Sequence, residues 1–332
     1  MRIGLIDVDS HNFPNIPLMK LSAYHKAKGD LVEWYDPLAE EYDIVYMSKV
    51  FSFSDDYLYP INAKKIIKGG SGYCIETIDG KEVYKLENDK NLPHEIEHIY
   101  PDYSLYPTLT ENTAYGRLTL GCPRRCSFCH TGVKDGVRSH KVANLSEFWN
   151  GQKNIVLLDQ NILACRDWKE LLQQLIDSKA DVDFNGGLDV RMMTEEKAMM
   201  LKQIKQKVVH FAWDRYEDKE IIIPKLKLFK DITKWNERKL VVFVLVNYNT
   251  TIQQDLERIY TLRELGYWAY VMIYDKESLP RGHIYKKLQR WVNNRFTFGK
   301  CKTFVEYLEY MKNMDLISED LRNYDRSIKR IT

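Results

Sequence analysis

Between residues 113 and 275 the sequence alternates regularly between strand-like and helix-like segments, and this alternation is the strongest constraint on its fold. Short apolar runs typical of strands precede longer amphipathic runs typical of helices. The predicted strands cover residues 113–120, 154–158, 182–186, 208–213, 240–247 and 268–275, and the predicted helices lie near residues 145–150, 168–178, 194–205, 224–235 and 252–265. Six such strand–helix repeats favour a parallel sheet with right-handed crossovers, which defines an α/β protein.

The first hundred residues predict a smaller α/β domain of the doubly wound type. Its predicted strands and helix are, in chain order, strands at 2–8, 31–36, 43–50 and 64–68 and a helix at 17–28. An Asp79-Gly80 turn predicts a β-hairpin, and a proline-containing extended stretch up to residue 107 predicts a linker. We therefore predict an N-terminal domain over 1–107, a central domain over 108–280 and a C-terminal helical segment over 281–332.

A group of three cysteines follows the first strand of the central domain. Cys122, Cys126 and Cys129 have the spacing C-x3-C-x2-C in a loop bounded by glycine and proline. An odd number of thiols argues against simple disulfide pairing, and zinc would need a fourth ligand such as His130, which lies awkwardly next to Cys129. Three thiolates on an iron–sulfur cubane leave one iron open for another ligand, which suits this spacing best.

Composition and the N-terminal sequence limit the compartment and the partners that we expect for this protein. The Cys126–His130 stretch also satisfies the haem-attachment pattern C-x-x-C-H, but that chemistry belongs to exported chains. The N-terminal strand is too short for a signal peptide, and no apolar run reaches eighteen residues. With 49 basic and 47 acidic residues the net charge is +2, so overall charge indicates neither a nucleic-acid nor a membrane partner. We expect a cytoplasmic protein with reduced cysteines.

With Phe128 directly before the third cysteine, the loop resembles the C-x3-C-x-aromatic-C signature of the radical S-adenosylmethionine (SAM) superfamily. The resemblance implies a 4Fe-4S cluster on Cys122, Cys126 and Cys129, with SAM chelated to the open iron and Phe128 beside its adenine. It implies reductive cleavage of SAM to a 5'-deoxyadenosyl radical, with electrons from a reductant such as flavodoxin or ferredoxin. It also implies that the six predicted repeats form a partial (β/α)6 TIM barrel.

Candidate SAM-binding residues lie where the predicted strands end, since chemistry in such barrels sits at the carboxyl ends of the strands. Gln160 or Asn161, which stand where the family has a G-G-E-like segment, can accept from the SAM ammonium; helix capping or a plain turn is the alternative. Asp189 can hold the ribose hydroxyls and Arg191 the SAM carboxylate, unless these two only pair with each other. Three further strand-end residues can face substrate or form a polar rim: Asp214, Tyr248 and Tyr274.

The N-terminal domain resembles the cobalamin-binding-like domain that precedes many radical SAM domains. Asp9 and His11 match its D-x-H-x-x-G motif, residues 48–50 approximate its S-x-L motif, and residues 69–70 match its G-G motif. Pro14 replaces the glycine of the first motif, and proline removes an N–H and fixes φ. We therefore expect a vestigial domain that does not bind cobalamin.

The segment after the last predicted strand is basic and aromatic. No acidic residue lies between Glu277 and Glu306. The stretch 281–302 contains these basic and aromatic residues: Arg281, His283, Tyr285, Lys286, Lys287, Arg290, Trp291, Arg295, Phe296, Phe298, Lys300 and Lys302. One interpretation is a barrel-closing helix with Ile284, Leu288 and Trp291 inward; the other is a nucleic-acid contact. Helices over 303–311 and 316–328 are predicted to follow, with Tyr307 and Tyr310 in the core.

The favoured prediction is a radical SAM enzyme that abstracts hydrogen from an unidentified substrate. A methylthiotransferase-like modifier of a macromolecule is one alternative, although those enzymes carry three further N-terminal cysteines and this chain has only Cys74 there. Cobalamin-dependent methyl transfer and a non-catalytic, metal-stabilised nucleic-acid-binding module are the others. The three remaining cysteines, Cys74, Cys165 and Cys301, are predicted to be small core residues.

Overall fold

The computed structural model describes residues 1–79 and 81–329 and shows a mixed α/β protein with parallel sheets. The chain divides into two compact units, Met1–Gly186 and Gly187–Thr332. We refer to them as the N-terminal and C-terminal units. The domain boundaries near residues 107 and 280 remain predictions.

The N-terminal unit contains the following elements. Its strands are β1 (Arg2–Asp7), β2 (Leu31–Trp34), β3 (Ile44–Ser48), β4 (Ile66–Gly69), β5 (Ile75–Ile78), β6 (Lys81–Tyr84), β7 (Thr113–Gly116), β8 (Thr119–Leu120), β9 (His140–Lys141), β10 (Asn154–Leu157) and β11 (Asp181–Phe184). Its α-helices are α1 (Ile16–Ala27), α2 (His94–Glu97), α3 (Pro107–Thr110), α4 (Thr131–Lys134) and α5 (Trp168–Ser178).

Strands β1 to β4 form a parallel sheet in the order β2-β1-β3-β4, as a doubly wound sheet would. Helix α1 begins where expected because Asn15 accepts a hydrogen bond from the backbone N–H of Leu18 and Pro17 occupies its first turn. It packs Leu18 against Ile3 in the core. The connections after β2 and β3 contain no helix, so α1 is the one helical connection in this sheet.

The predicted hairpin is present as the antiparallel pair of β5 and β6. Gly80 of its turn lies outside the described residues. The longer predicted strand over 113–120 is interrupted, because β7 ends at Gly116 and β8 starts at Thr119. Gly116 packs so closely on Phe148 that a Cβ would lie 2.3 Å from the ring. Strands β7, β10 and β11 form a parallel sheet in chain order, and β8 pairs with β9.

The predicted helix near 145–150 is wrong. Only a single 3-10 turn, Leu145–Glu147, is present there, although Asn144 and Glu147 form a capping box at its start. Gly151 follows with a φ of +88°, and six residues are too few to propagate a helix without strong packing.

The C-terminal unit has three strands and seven α-helices within its described residues. They are β12 (Val209–Ala212), β13 (Leu240–Val246), β14 (Trp268–Ile273), α6 (Glu195–Gln203), α7 (Lys219–Thr233), α8 (Ile252–Glu264), α9 (Ile284–Asn293), α10 (Arg295–Lys300), α11 (Phe304–Tyr310) and α12 (Glu319–Lys329). Strands β12, β13 and β14 form a parallel sheet in chain order. All six predicted strands of the central region are therefore present and parallel, in two sheets of three.

Three details of this unit differ from the sequence prediction. Helix α7 begins at Lys219 and not at Pro224, because Ile222 before the proline is fully buried on the same face as Leu226, and its packing outweighs the lost backbone hydrogen bond. Tyr310 is 48% exposed and is not a core residue, whereas Tyr307 is buried as predicted. On α9, Leu288 and Trp291 are buried as predicted, but Tyr285 is buried where Ile284 is only half-buried.

Within the described residues, no helix combines the length and apolar composition needed to cross a membrane.

Candidate functional site

The cysteine loop follows β8 and is shaped by its own backbone. Gly121, with a φ of +83°, opens it, and a Cβ there would lie 2.2 Å from the Arg138 carbonyl oxygen, so no other residue fits. The backbone N–H of Cys122 donates to Gly136 at 3.1 Å, and that of Cys129 donates to Cys126 at 3.0 Å. Cys122 and Cys126 are half-buried and Cys129 is exposed, so the thiols are accessible to a metal.

Among residues 1–79 and 81–329, no three histidine, cysteine or acidic side chains are grouped closely enough to hold a metal ion. The structure thus places the three cysteines on one loop without gathering their sulfurs. Their chemistry fits an iron–sulfur cluster, which is held by thiolates, and metal binding commonly supplies the energy that orders such a loop. The cluster itself remains a prediction.

Asp159, which follows β10, connects that strand to the chain leading into the cysteine loop. Its buried carboxylate accepts from the backbone N–H groups of Leu118 at 3.1 Å and Thr119 at 2.6 Å, and from the Thr119 hydroxyl at 2.5 Å. Burial raises the pKa of Asp159 to about 6 despite these donors. Through these hydrogen bonds, the Asp159 side chain holds the backbone at Leu118 and Thr119, just before the cysteine loop.

Asn161 is directly in contact with the cysteine loop. Its side-chain amide, in a residue only 2% exposed, donates from Nδ2 to the Cys122 sulfur at 3.4 Å, and its main-chain oxygen accepts from the Ser139 hydroxyl. It precedes the 3-10 turn Ile162–Ala164 but makes no side-chain capping hydrogen bond there. The capping alternative is therefore wrong for Asn161.

Gln160 presents an unused acceptor. Its Nε2 donates to Asp135 Oδ2 at 2.8 Å, while no donor among the described residues reaches its buried Oε1. Burial raises the pKa of Asp135. A buried acceptor without a partner costs free energy, so it marks a position where a ligand donor would be favourable. The predicted partner, an ammonium group, has the right chemistry.

In the C-terminal unit, Asp189 and Arg191 pair with each other, but Arg191 has a second acidic partner. Asp189 precedes the 3-10 turn Val190–Met192, and its carboxylate accepts from Arg191 Nε at 2.7 Å. Arg191 Nη1 also donates to Asp218 Oδ2 at 2.7 Å, and its side chain is 13% exposed. Sequence reasoning missed Asp218, although an acid shortly after a predicted strand end was a usable signal.

Asp214, which follows β12, belongs to the same electrostatic environment. Burial raises the pKa of its carboxyl, and the positive charges of Arg191 and Arg258 oppose that rise. Tyr248 and Tyr274 lie together after β13 and β14, with their rings edge-to-face and 4.7 Å between centroids. The residues that follow the strands of this unit thus include one buried acid, Asp214, and two tyrosines in contact, Tyr248 and Tyr274.

Arg258 on α8 was also missed by sequence reasoning. It is fully buried, pairs with the equally buried Asp255, and donates to the carbonyl oxygens of Trp213 and Leu245 at the ends of β12 and β13. A charged i,i+3 pair on the apolar face of a predicted helix was its sequence signal. Burial raises the pKa of Asp255, and the Arg258 charge opposes that rise.

The loops at the carboxyl ends of the N-terminal sheet enclose a shallow cleft of about 310 Å³. It is lined by Asp7, Val8, Asp9, Ser10, His11, Trp34 and Tyr106. Asp9 accepts from the backbone N–H groups of Val50 and Phe51 at 2.7 and 2.9 Å, so it organises the neighbouring loop. Gly70 has a φ of +97°, and a Cβ there would lie 2.3 Å from the Lys49 carbonyl oxygen. The positive φ and the close approach at Gly70 are features of a tight turn, and the vestigial character of the domain stays a prediction.

The other three cysteines, Cys74, Cys165 and Cys301, are all buried, and burial raises the pKa of each thiol. Their prediction as core residues is confirmed.

No protein-family model matches the chain, and no curated protein matches its sequence. The functional interpretation therefore depends on the residues of the chain itself.

Proposed function

We propose that this chain is a radical SAM enzyme in which Cys122, Cys126 and Cys129 hold a 4Fe-4S cluster. The observation that carries the proposal is the C-x3-C-x-Phe-C spacing in the loop that follows β8. When bound, the cluster and SAM together supply a 5'-deoxyadenosyl radical, which abstracts hydrogen from a substrate. Three thiolates suit this role because they leave one iron available to SAM.

The residues around the loop have distinct roles in this proposal. Asp159 fixes the chain entering the loop through Leu118 and Thr119. Asn161 donates an N–H to the Cys122 sulfur, and such a bond stabilises thiolate charge and tunes the potential of a cluster. Gln160 would offer its unused Oε1 to the SAM ammonium, and Phe128 would lie beside the adenine.

Asp189 and Arg191 would bind the ribose and the carboxylate of SAM. The guanidinium group has five N–H donors. Asp189 and Asp218 engage its Nε and Nη1 atoms. Donors remain for a third carboxylate, so the observed ion pairs hold the guanidinium plane in place and do not exclude the proposed contact.

We further propose that the six successive parallel strands belong to a partial (β/α)6 TIM barrel. A vestigial domain that does not bind cobalamin would precede it in the chain. Support for the barrel comes from the order of the strands, which follows the chain in both sheets, and from the polar residues at their carboxyl ends. A cytoplasmic location and a flavodoxin- or ferredoxin-type reductant complete the proposal.

The decisive experiment is anaerobic reconstitution of the full chain with iron and sulfide. We expect about four iron and about four sulfide per chain and the charge-transfer absorption of a cluster. After reduction in the presence of SAM, we expect release of 5'-deoxyadenosine. Cys122→Ala, Cys126→Ala and Cys129→Ala should each abolish that release, whereas Cys74→Ala, at a buried cysteine of the same compact unit, should retain it.

A colourless protein with one zinc per chain would contradict the proposal. An intact cluster that leaves SAM uncleaved would contradict it equally.

A further inference from the structure

Helices α9 and α10 carry a basic and aromatic surface that the proposed reaction does not use. We define this basic surface by residues 281–302, in which seven lysines and arginines occur without an acidic residue. The structure separates its aromatic side chains into two groups. Trp291 and Phe298 are buried, whereas Phe296 is 69% exposed, and Tyr310 of the neighbouring α11 is 48% exposed.

The buried aromatic residues explain how α9 is held. Leu288, Trp291 and Val292 are fully buried, and Asn293 donates to and accepts from the backbone of Val271 in β14. This fixes one face of α9 against the sheet. Four basic residues lie on the opposite face, because His283 and Lys287, and likewise Lys286 and Arg290, are four residues apart.

The exposed aromatic residues are associated with cations. The Lys300 ammonium lies 3.9 Å from the ring centroid of Tyr310 and 5.9 Å from that of Phe296. A single lysine thus lies between two exposed rings, in an arrangement that core packing does not require. Exposed rings next to cations suit a ligand that alternates flat bases with phosphates.

Two acidic residues of the adjoining helix α11 have defined partners. Glu306 accepts from the backbone N–H groups of Lys302 and Thr303 at the start of α11, and Glu309 pairs with Arg322. Glu309 is therefore paired with a residue outside 281–302, whereas Glu306 places one negative charge beside the C-terminal end of the basic surface.

We propose that the basic surface binds single-stranded nucleic acid, with Lys287 and Arg290 contacting phosphates and Phe296 stacking on a base. A nucleic acid is then the substrate class of the proposed enzyme, and that last step rests on the proposed function. A duplex fits less well because its bases are already stacked and are not free to cover Phe296.

The test is a fluorescence anisotropy titration of the full chain against an end-labelled, mixed-sequence single-stranded RNA and DNA of about 20 nucleotides, each also as a duplex. Titrations between about 50 and 200 mM salt give the salt dependence of binding. We expect tighter binding of single strands than of duplexes.

Two sets of variants separate phosphate contacts from stacking. Lys287→Ala combined with Arg290→Ala should reduce the slope of log affinity against log salt by about 1.4, because each phosphate contact to a single strand contributes about 0.7. Lys225→Ala combined with Lys227→Ala on α7 makes the same charge change and should leave the slope unaltered. Phe296→Ala should weaken binding about 5- to 150-fold at one salt concentration without changing the slope, while Phe296→Trp retains affinity.

Several outcomes would overturn the inference: no binding of either strand, an equal loss in the α7 control, or no effect of Phe296→Ala in a variant with unchanged thermal unfolding. Binding to phosphatidylserine vesicles without binding to oligonucleotides would instead indicate an anionic membrane. The binding test is independent of the proposed enzyme activity. A chain that combines Cys122→Ala, Cys126→Ala and Cys129→Ala should bind the oligonucleotide like the unmodified chain.

Discussion

The Asp159 carboxylate lies 2.6 Å from the backbone nitrogen of Thr119 and accepts its hydrogen bond. Thr119 starts β8, two residues before the glycine that opens the cysteine loop. One buried acid at the end of β10 therefore fixes the direction in which the chain enters the loop. Burial of this carboxylate costs free energy, because the charge loses the water that would otherwise solvate it.

That cost predicts a pH dependence of stability. Burial raises the pKa of Asp159 from 3.8 to about 6, so the folded chain holds a proton on Asp159 more tightly than the unfolded chain. The resulting stabilisation is complete below about pH 4 and is lost as the pH rises through about 6.

Urea unfolding of the wild type and of Asp159→Asn at a series of pH values tests this expectation. The free energy of unfolding of the wild type should fall relative to that of the variant across this range, by about 3 kcal/mol in total. A wild-type free energy of unfolding that stays constant or rises with pH, relative to that of the variant, would refute it.

Gln160→Met should weaken SAM binding, and it also removes the hydrogen bond from Nε2 to Asp135 Oδ2, so the free energy of unfolding is measured beside the affinity. The buried Oε1 has no donor among the described residues, so its removal costs the fold little, while a hydrogen bond to a charged ammonium contributes about 1.5 to 3 kcal/mol. We expect the dissociation constant of SAM for the reconstituted protein, measured by equilibrium dialysis, to rise by about tenfold or more. Gln173→Met on the exposed side of α5 is the matched control. Unchanged SAM affinity in Gln160→Met would remove Gln160 from the site.

Arg191→Lys should lower the free energy of unfolding by about 1 to 3 kcal/mol. The planar guanidinium contacts Asp189 and Asp218 through different nitrogens, and a lysine ammonium cannot reproduce that geometry. Arg215→Lys is the control, because Arg215 pairs with Glu217 across 3.8 Å at an exposed position. Urea unfolding provides the measurement, and equal effects of the two substitutions would contradict this role of Arg191.

Arg258→Met should be strongly destabilising, by about 3 to 5 kcal/mol, because it leaves the buried Asp255 without its cation. Adding Asp255→Leu should recover part of the loss, since the two apolar side chains leave no buried charge. A double-mutant cycle of the free energies of unfolding measures the coupling. Additive losses would show that the two residues are not coupled.

Local sequence patterns were sufficient to predict most of the helices and strands. The strands of the three parallel sheets were recognisable as short apolar runs, and α5 matched its predicted bounds. Helices α1 and α8 have capping residues that define their starts. Where the prediction was wrong, packing decided the outcome. Pro224 did not begin α7 because the preceding residues gain enough from burial to be helical, and Tyr310 faces solvent because its end of α11 is not covered.

The candidate site was predictable only in part. Strand-end positions singled out Gln160 and Asn161 in the N-terminal unit and Asp189 and Arg191 in the C-terminal unit, because chemistry in the predicted barrel sits at the carboxyl ends of the strands, and their contact with SAM stays a prediction. Asp218 and Arg258 were missed since their roles depend on partners far away in the sequence: Arg258 binds the carbonyl oxygen of Trp213, 45 residues earlier.

The sequence by itself determined the α/β class, the parallel strands and the close spacing of three thiols in the loop from Gly121 to His130. Hydrophobic periodicity and cysteine spacing are local properties of the chain. Only the tertiary structure decided which polar atoms are paired and which are left open. The Asp159 carboxylate accepts from Thr119, Asn161 Nδ2 donates to the Cys122 sulfur, and Gln160 Oε1 has no partner among the described residues. Hydrogen bonding and burial are set by contacts between distant segments, and a linear pattern does not specify them.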